Sequence, residues 1–110
     1  MLQKHIFKAN RGEGKTKWLV DKAIEYYDHA MYHYYLGSKS SYDNFCYQYE
    51  AEMHKKCPIQ YWPSNEMMYP VGYMILYTDE LLDAFNYFPV ISNAIEGEWF
   101  MTISGENFIN

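Results

Sequence analysis

The sequence is short of cysteine, of arginine and of long apolar runs, and these shortages exclude several classes of protein. No uninterrupted apolar stretch approaches the ~20 residues that a membrane-spanning helix needs, and the N-terminus lacks the apolar core of a signal peptide. We therefore expect a cytoplasmic protein without a membrane partner. The two cysteines, Cys46 and Cys57, are then expected to be free thiols, because reducing compartments disfavour disulfides.

Basic residues are also few outside the N-terminal segment. Residues 1–22 carry six basic side chains against two acids, whereas residues 23–110 carry three lysines against twelve acids, which gives a formal net charge of -5. An acidic body disfavours nonspecific binding to DNA or RNA, because that binding depends on neutralising phosphates. The basic N-terminal segment is instead the place to look for a site that binds a small anion.

Apolar residues are plentiful, and their spacing predicts strands that alternate with helices. The 110 residues are 49% hydrophobic, so we expect one folded domain over residues 1–110. The predicted strands lie at residues 5–7, 30–36, 59–62, 71–78 and 98–104, and the predicted helices at 15–28, 42–56 and 80–85. Ser41 or Asp43 is expected to cap the second helix, which ends before Pro58. This alternation predicts an α/β fold in three layers, with a small, mainly parallel sheet of about five strands flanked by helices.

The most informative motif is the loop at residues 9–16, Ala-Asn-Arg-Gly-Glu-Gly-Lys-Thr. It matches the pattern G-x-x-x-x-G-K-[ST] except that Ala9 replaces the first glycine. In such a loop the backbone N–H groups surround a phosphate, and the following helix adds the positive end of its dipole. Lys15 is placed to reach β- and γ-phosphate oxygens, and Thr16 to bind Mg²⁺. The candidate nucleotide-binding residues are Asn10, Arg11, Gly12, Glu13, Gly14, Lys15 and Thr16. A glycine-rich turn that leads into a helix, without any ligand, is the alternative interpretation.

A second motif is the acidic pair Asp79 and Glu80, which follows an apolar run. With the loop, the pair resembles the Walker A and Walker B elements of P-loop NTPases, and the adjacent glutamate resembles the ASCE division, which includes RecA-like and AAA ATPases. The resemblance implies a P-loop NTPase-like fold in which Asp79 holds Mg²⁺ and Glu80 activates the attacking water. An acid after a strand also commonly caps the next helix, so that interpretation stays open.

The same resemblance implies an additional strand between the two strands that carry the motifs, ending in a polar sensor residue. Residues 98–104 fit that strand, with Thr102 or Ser104 as the sensor, although either residue also suits a strand for its shape alone. Arg11 is the only arginine. Either hydrolysis is slow, a partner supplies an arginine, or Arg11 contacts the γ-phosphate from within the loop, as a resemblance to viral DNA-packaging ATPases implies. An exposed arginine that only adds positive potential is the alternative.

These residues predict a minimal Mg²⁺-dependent ATPase. The sequence lacks the Asn-Lys pair with which P-loop GTPases read guanine and the several arginines of kinase lids, so ATP hydrolysis is favoured over other reactions of the family. The predicted catalytic residues are Lys15, Glu80 and Arg11, the metal ligands Thr16 and Asp79, and the cofactors ATP and Mg²⁺. A protein partner or a homo-oligomer is expected to complete the activity. The small size and tyrosine-rich composition are similar to those of phage-encoded ATP-binding proteins, which would act in the host cytoplasm. The alternative function is a noncatalytic interaction or accessory module that retains a nucleotide pocket or its relic.

Overall fold

A parallel β-sheet forms the centre of the computed structural model, which describes residues 2–10, 12–62, 72–80 and 96–104. Within these residues the strands are β1 (Leu2–Ala9), β2 (Tyr32–Leu36), β3 (Gln60–Trp62), β4 (Tyr73–Thr78) and β5 (Glu96–Ser104). All neighbours pair in parallel, in the order β1-β5-β4-β2-β3. The predicted α/β class and five-stranded parallel sheet are confirmed, and the last strand lies between the strand before the loop and the strand before the acidic pair.

Two of the strands are longer than the apolar runs that predict them. β1 extends over eight residues instead of residues 5–7, and β5 begins two residues early, at Glu96. Along β1 the exposed Gln3, Lys4 and Lys8 accompany half-buried or buried neighbours. β1 is an edge strand of the described sheet, and such a strand tolerates polar side chains that a search for apolar runs passes over.

Two α-helices lie between the strands of the described chain, α1 (Lys15–Glu25) and α2 (Lys39–Met53). α1 ends three residues before the predicted end, and a single 3₁₀ turn follows at Tyr27–His29. The cap prediction for α2 was wrong, because the Ser38 hydroxyl accepts from the Ser41 N–H at 3.1 Å and starts the helix earlier. Of the helix predicted at residues 80–85, residues 81–85 lie outside the described residues, and Glu80 has a positive φ of 76°.

The two faces of the sheet carry separate apolar cores. One core joins the buried side of both helices to strand residues, and its largest members are Tyr35, Phe45, Tyr49, Tyr77 and Phe100. The other core contains side chains that alternate with these along the strands, Leu2, Leu36, Trp62, Met74, Leu76, Trp99 and Met101. Both described helices belong to the first core, so the described residues account for two of the three predicted layers.

Close approach of β4 and β5 depends on a glycine. Gly97 has a φ of 146°, and a Cβ atom at this position would lie 1.7 Å from the Met74 carbonyl oxygen. No real contact is so short, so any side chain at position 97 would push the two strands apart. The placement of the acidic pair after β4 beside the end of β5 therefore depends on Gly97.

Both cysteines are free thiols, as predicted. Cys57 is buried, and burial raises its pKa to about 12, which suppresses the reactive thiolate form. In the described part of the chain, no helix is both long enough and apolar enough to cross a membrane.

Candidate functional site

The predicted functional residues that the structure describes lie at the carboxyl edge of the parallel sheet. The loop follows β1, the acidic pair follows β4, and Thr102 and Ser104 lie at the end of β5. Because β5 lies between β1 and β4, its last residues contact both sides of the site. Open α/β sheets bind their ligands at this edge, where the carboxyl ends of the strands leave a crevice.

The loop between β1 and α1 has a conformation that its glycines permit. Gly12 and Gly14 have φ angles of 82° and 85°, which side chains rarely adopt. The Glu13 N–H donates to the Asn10 carbonyl at 3.1 Å and tightens the turn. Arg11 lies outside the described residues, so its contact with a phosphate stays a prediction.

The first turn of α1 offers backbone donors to a ligand. Gly14 is the capping residue and has no side chain, and the Trp18 N–H closes the first helical bond by donating to the Gly14 carbonyl at 2.9 Å. The earlier N–H groups, including those of Lys15 and Thr16, have no acceptor within the helix. These donors lie at the positive end of the helix dipole, where a phosphate group is favoured.

The Asp79 carboxylate joins the loop helix to the end of β5. One of its oxygens accepts from the Thr16 hydroxyl and the other accepts from the Thr102 hydroxyl. Thr16 and Asp79 are 63 residues apart in the chain, yet the structure brings their oxygens into direct contact. The two predicted metal ligands are thus adjacent, as shared coordination of one cation requires.

The Glu80 carboxylate is paired with the loop lysine. The Lys15 ammonium lies 3.0 Å from Glu80 Oε1, and the two side chains keep 15% and 30% of their surface exposed. The Ser104 N–H donates to the same oxygen at 2.8 Å. Glu80 itself has a left-handed backbone conformation, with a φ of 76°, and its N–H donates to the Thr102 hydroxyl at 3.0 Å. A strained conformation of this kind persists only where surrounding contacts determine it, and such residues cluster at functional sites.

Thr102 contacts both acidic residues and is fully buried. Its single hydroxyl proton is donated to Asp79, while the same oxygen accepts the Glu80 N–H. The sequence left open whether Thr102 is a polar sensor residue or only a residue whose shape suits a strand. A preference for strand shape does not account for these hydrogen bonds. Ser104 reaches Glu80 through its backbone N–H, a contact that does not depend on the serine side chain.

Tyr35 is a site residue that the sequence does not reveal. Its hydroxyl lies 3.3 Å from the Asp79 N–H, although it belongs to β2, 44 residues earlier. In the sequence it is one of several aromatic residues in a strand, where packing is the ordinary role. A hydroxyl that reaches the end of a neighbouring strand leaves no signal in the sequence.

A cavity of about 360 Å³ adjoins the loop and is lined by Phe7, Lys8, Ala9, Asn10 and Glu13. Two of these residues, Asn10 and Glu13, are predicted nucleotide contacts. The cavity lies beside β1, whereas the acidic pair follows β4. β5 lies between these two strands. A ligand held by the loop therefore has room on the side away from the carboxylates.

The donor set at this edge fits a hard cation that brings its own ligands. The Thr16 hydroxyl and the Asp79 carboxylate are oxygen donors, which Mg²⁺ prefers. Within the described ranges, no three His, Cys, Asp or Glu side chains lie close enough together to hold a metal ion by themselves. A cation here would complete its coordination with water and with oxygens of a bound phosphate, as Mg²⁺ does at nucleotide sites.

Compared with protein-family models, curated proteins and solved structures, the chain matches none of them. The functional interpretation therefore depends on the geometry of the loop, the acidic pair and the end of β5.

Proposed function

We propose that this chain is a minimal P-loop ATPase domain that binds ATP with Mg²⁺ at the carboxyl edge of its sheet and hydrolyses it. The observation that carries the proposal is the meeting of two separate motifs. Lys15 contacts Glu80 across 65 residues of sequence, and Thr16 contacts Asp79 across 63. A loop without a ligand would not require its lysine and threonine to face two carboxylates.

The strand order supports the same proposal. β5 lies between β1 and β4 and brings Thr102 against both carboxylate residues. An added strand in this position, ending in a polar residue, is what the resemblance to the ASCE division implies. The order follows from long-range pairing, so it is an observation separate from the two motifs.

Each residue of the site has a role that its geometry suits. The N–H groups at the start of α1 and the Lys15 ammonium bind the β- and γ-phosphates. The Thr16 hydroxyl and the Asp79 carboxylate hold Mg²⁺, which would neutralise phosphate charge when it is bound. Glu80 accepts a proton from the water that attacks the γ-phosphate, and general base catalysis of this kind contributes about 10²–10⁴ to the rate.

ATP binding is expected to change the pairing of Glu80. In this structure the Glu80 Oε1 atom accepts from both the Lys15 ammonium and the Ser104 N–H. A phosphate that binds Lys15 competes with the carboxylate for the ammonium group and so frees the carboxylate to accept from water. ATP binding is thereby linked to activation of the base, which limits proton transfer before the substrate is in place.

Completion of the site by a partner or a second copy is part of the proposal, because the chain has a single arginine, Arg11. In phosphoryl transfer, an arginine side chain placed at the transferred phosphate raises the rate by a large factor. If copies of this chain supply that arginine to one another, we expect the turnover per chain to rise with protein concentration. The proposed compartment is the cytoplasm.

Substitution of Lys15 by alanine tests the proposal directly. We expect Lys15→Ala to abolish ATP binding in titration calorimetry, because the substitution removes the charge that reaches the phosphates. Lys17→Ala is the matched control, since Lys17 lies in the same helical turn but is exposed and pairs with Asp21. Equal ATP affinity in Lys15→Ala and the parent chain would rule the proposal out.

A second candidate function is a noncatalytic nucleotide-binding module, which the single arginine favours. A phosphate-release assay over a range of protein concentrations separates the two candidates. Turnover that increases with concentration supports the ATPase. Tight ATP binding without turnover at any concentration supports the module.

A further inference from the structure

The Tyr35 hydroxyl joins three parts of the molecule near the candidate metal ligands. Tyr35 belongs to β2 and is fully buried. Its hydroxyl oxygen accepts from the Asp79 N–H at 3.3 Å and is hydrogen-bonded to the Ser41 hydroxyl in the first turn of α2. A hydroxyl has one proton and two lone pairs, so the Tyr35 oxygen can accept from the Asp79 N–H and share a hydrogen bond with Ser41 at the same time.

Packing holds the Tyr35 ring in this position. Its ring centroid lies 5.5 Å from that of Tyr42 and 5.2 Å from that of Phe45, both on α2. On another side, a Cβ atom at Gly37 would lie 3.3 Å from Tyr35 Cε1, a tight contact. A side chain fixed by its neighbours can hold another group in place at little entropic cost.

Register explains why the hydroxyl reaches Asp79. Tyr35 pairs with Tyr77 of β4, and Asp79 follows two residues later. The Tyr35 side chain therefore leans along the strand direction, toward the carboxyl edge, and reaches the backbone just beyond the last ladder position.

The turn at Asp79 and Glu80 is thus held from both neighbouring strands. Thr102 of β5 binds the Asp79 carboxylate and the Glu80 N–H, and Tyr35 of β2 binds the Asp79 N–H. Of these bonds, only the two that Thr102 makes would hold the acidic turn if the Tyr35 bond were lost. The direction of the Asp79 carboxylate toward Thr16 depends on the backbone of that turn.

We propose that Tyr35 is a positioning residue for the metal-binding carboxylate. Its hydroxyl fixes the Asp79 backbone so that the carboxylate meets the Thr16 hydroxyl in the geometry that Mg²⁺ needs. The inference rests on the proposed function, since it assigns Asp79 to the metal. The Tyr35 hydroxyl bonds to the acidic turn and to α2, so its loss should weaken metal binding and turnover while metal-free ATP binding stays unchanged.

The test compares Tyr35→Phe with Tyr61→Phe in the full chain. Tyr61 is the matched control, because its half-buried hydroxyl also makes a bond near the end of β2, to the Gly37 carbonyl at 2.8 Å, without contacting the acidic turn. Mn²⁺, a spectroscopic substitute for Mg²⁺, is titrated into ATP-loaded protein and followed by electron paramagnetic resonance. ATP affinity is measured separately with the metal chelated.

We expect Tyr35→Phe to weaken Mn²⁺ binding about three- to tenfold, which is the size of the lost hydrogen bond to the Asp79 N–H. Because metal-free ATP binding is unchanged, the affinity for Mg²⁺-ATP should fall by a similar factor. Tyr61→Phe should leave Mn²⁺ affinity within twofold of the parent. Equal losses in the two variants, or unchanged Mn²⁺ affinity in Tyr35→Phe, would overturn the inference and leave the proposed function intact. A parent chain that binds neither ATP nor Mn²⁺-ATP would overturn both.

Ser41→Ala gives an independent measurement if Tyr35→Phe does not fold, as judged by near-ultraviolet circular dichroism. The substitution retains the Tyr35 ring and Asp79 and removes the second hydrogen-bond partner of the Tyr35 hydroxyl. We expect about a threefold loss of Mn²⁺ affinity, since one of the two hydrogen bonds of the Tyr35 hydroxyl is removed. Parent-like Mn²⁺ affinity in Ser41→Ala, with Tyr35→Phe unfolded, counts against the inference.

Discussion

The ion pair between Lys15 and Glu80 leads to a prediction about ATP affinity. A phosphate must compete with Glu80 for the Lys15 ammonium, so neutralising Glu80 should strengthen ATP binding even as it stops turnover. Glu80→Gln is the suitable change, because glutamine keeps an oxygen that accepts from the Ser104 N–H and should keep the shape of the turn.

The size of the effect follows from the distance and the exposure of the pair. At an effective dielectric constant of about 20, unit charges 3.0 Å apart attract by about 5 kcal/mol. The side chains keep 15% and 30% of their surface exposed and lose hydration on pairing, so we expect a net contribution of about 1 kcal/mol. Removing this competition should tighten ATP binding about fivefold. Loss of the general base should lower turnover about a hundredfold or more.

Titration calorimetry with Mg²⁺-ATP measures the affinity, and a single-turnover assay measures the rate. Asp21→Asn is the matched control: it changes the net charge equally and breaks the exposed Lys17–Asp21 pair on the same helix. We expect its ATP affinity to stay within twofold of the parent. The reasoning is refuted if Glu80→Gln binds ATP more weakly than the parent, or no more tightly than Asp21→Asn.

Substitutions at three other residues test contacts inside the sheet. Gly97→Ala places a Cβ atom against the Met74 carbonyl and should lower the free energy of unfolding in urea by about 3 kcal/mol or more; parent-like stability would contradict the close approach of the strands. Thr102→Val removes the hydrogen bonds to the Asp79 carboxylate and the Glu80 N–H and should cost about 2 kcal/mol in the same assay, with Thr102→Ser closer to the parent because it keeps the hydroxyl; a loss in Thr102→Val no larger than in Thr102→Ser would contradict a role for the hydroxyl. Burial lowers the pKa of His33 from 6.5, and its ring bonds to the Tyr77 hydroxyl, so the unfolded chain takes up the proton first as pH falls. Stability from His33 is therefore complete above about pH 6.5 and is lost below it, and His33→Gln should reduce this pH dependence in urea unfolding; an unchanged slope would show that other groups cause it.

The candidate site could be located from the sequence because its chemistry requires particular residues at particular spacings. A phosphate loop needs glycines and a lysine within a few positions, and a metal-binding pair needs acids next to a strand end. Both patterns are local. The structure places Lys15 and Thr16 against Glu80 and Asp79, which neither pattern specifies alone.

The supporting contacts could not be found in this way, because they join residues far apart in the chain. Tyr35 and Asp79 are 44 residues apart, and Thr102 and Asp79 are 23 apart. Aromatic residues and threonine are common in strands because their shapes suit a sheet. A second role for the hydroxyl therefore leaves no pattern in the sequence that would reveal it. Only the pairing of the strands decides which hydroxyl reaches the acidic turn.

The errors in element boundaries have local physical causes. Ser38, Ser41 and Asp43 can all cap a helix, and the segment that follows β2 uses the first of them. β1 was underestimated because an edge strand tolerates exposed polar side chains, here Gln3, Lys4 and Lys8, which interrupt its apolar pattern. Such ambiguities are resolved by tertiary packing, which sequence patterns do not contain.

The pairing of β1 with β5 has a consequence for the order of events during synthesis. Among the described strands β1 contacts only β5, and the paired residues Leu2 and Gly97 are separated by almost the whole described chain. The strand that leads into the phosphate loop therefore has no partner in the sheet until the ribosome has made β5. Contacts of such long range slow folding. A nascent chain that stops before β5 would carry the complete loop motif and still lack the strand residues, Thr102 and Ser104, that bond to the acidic pair.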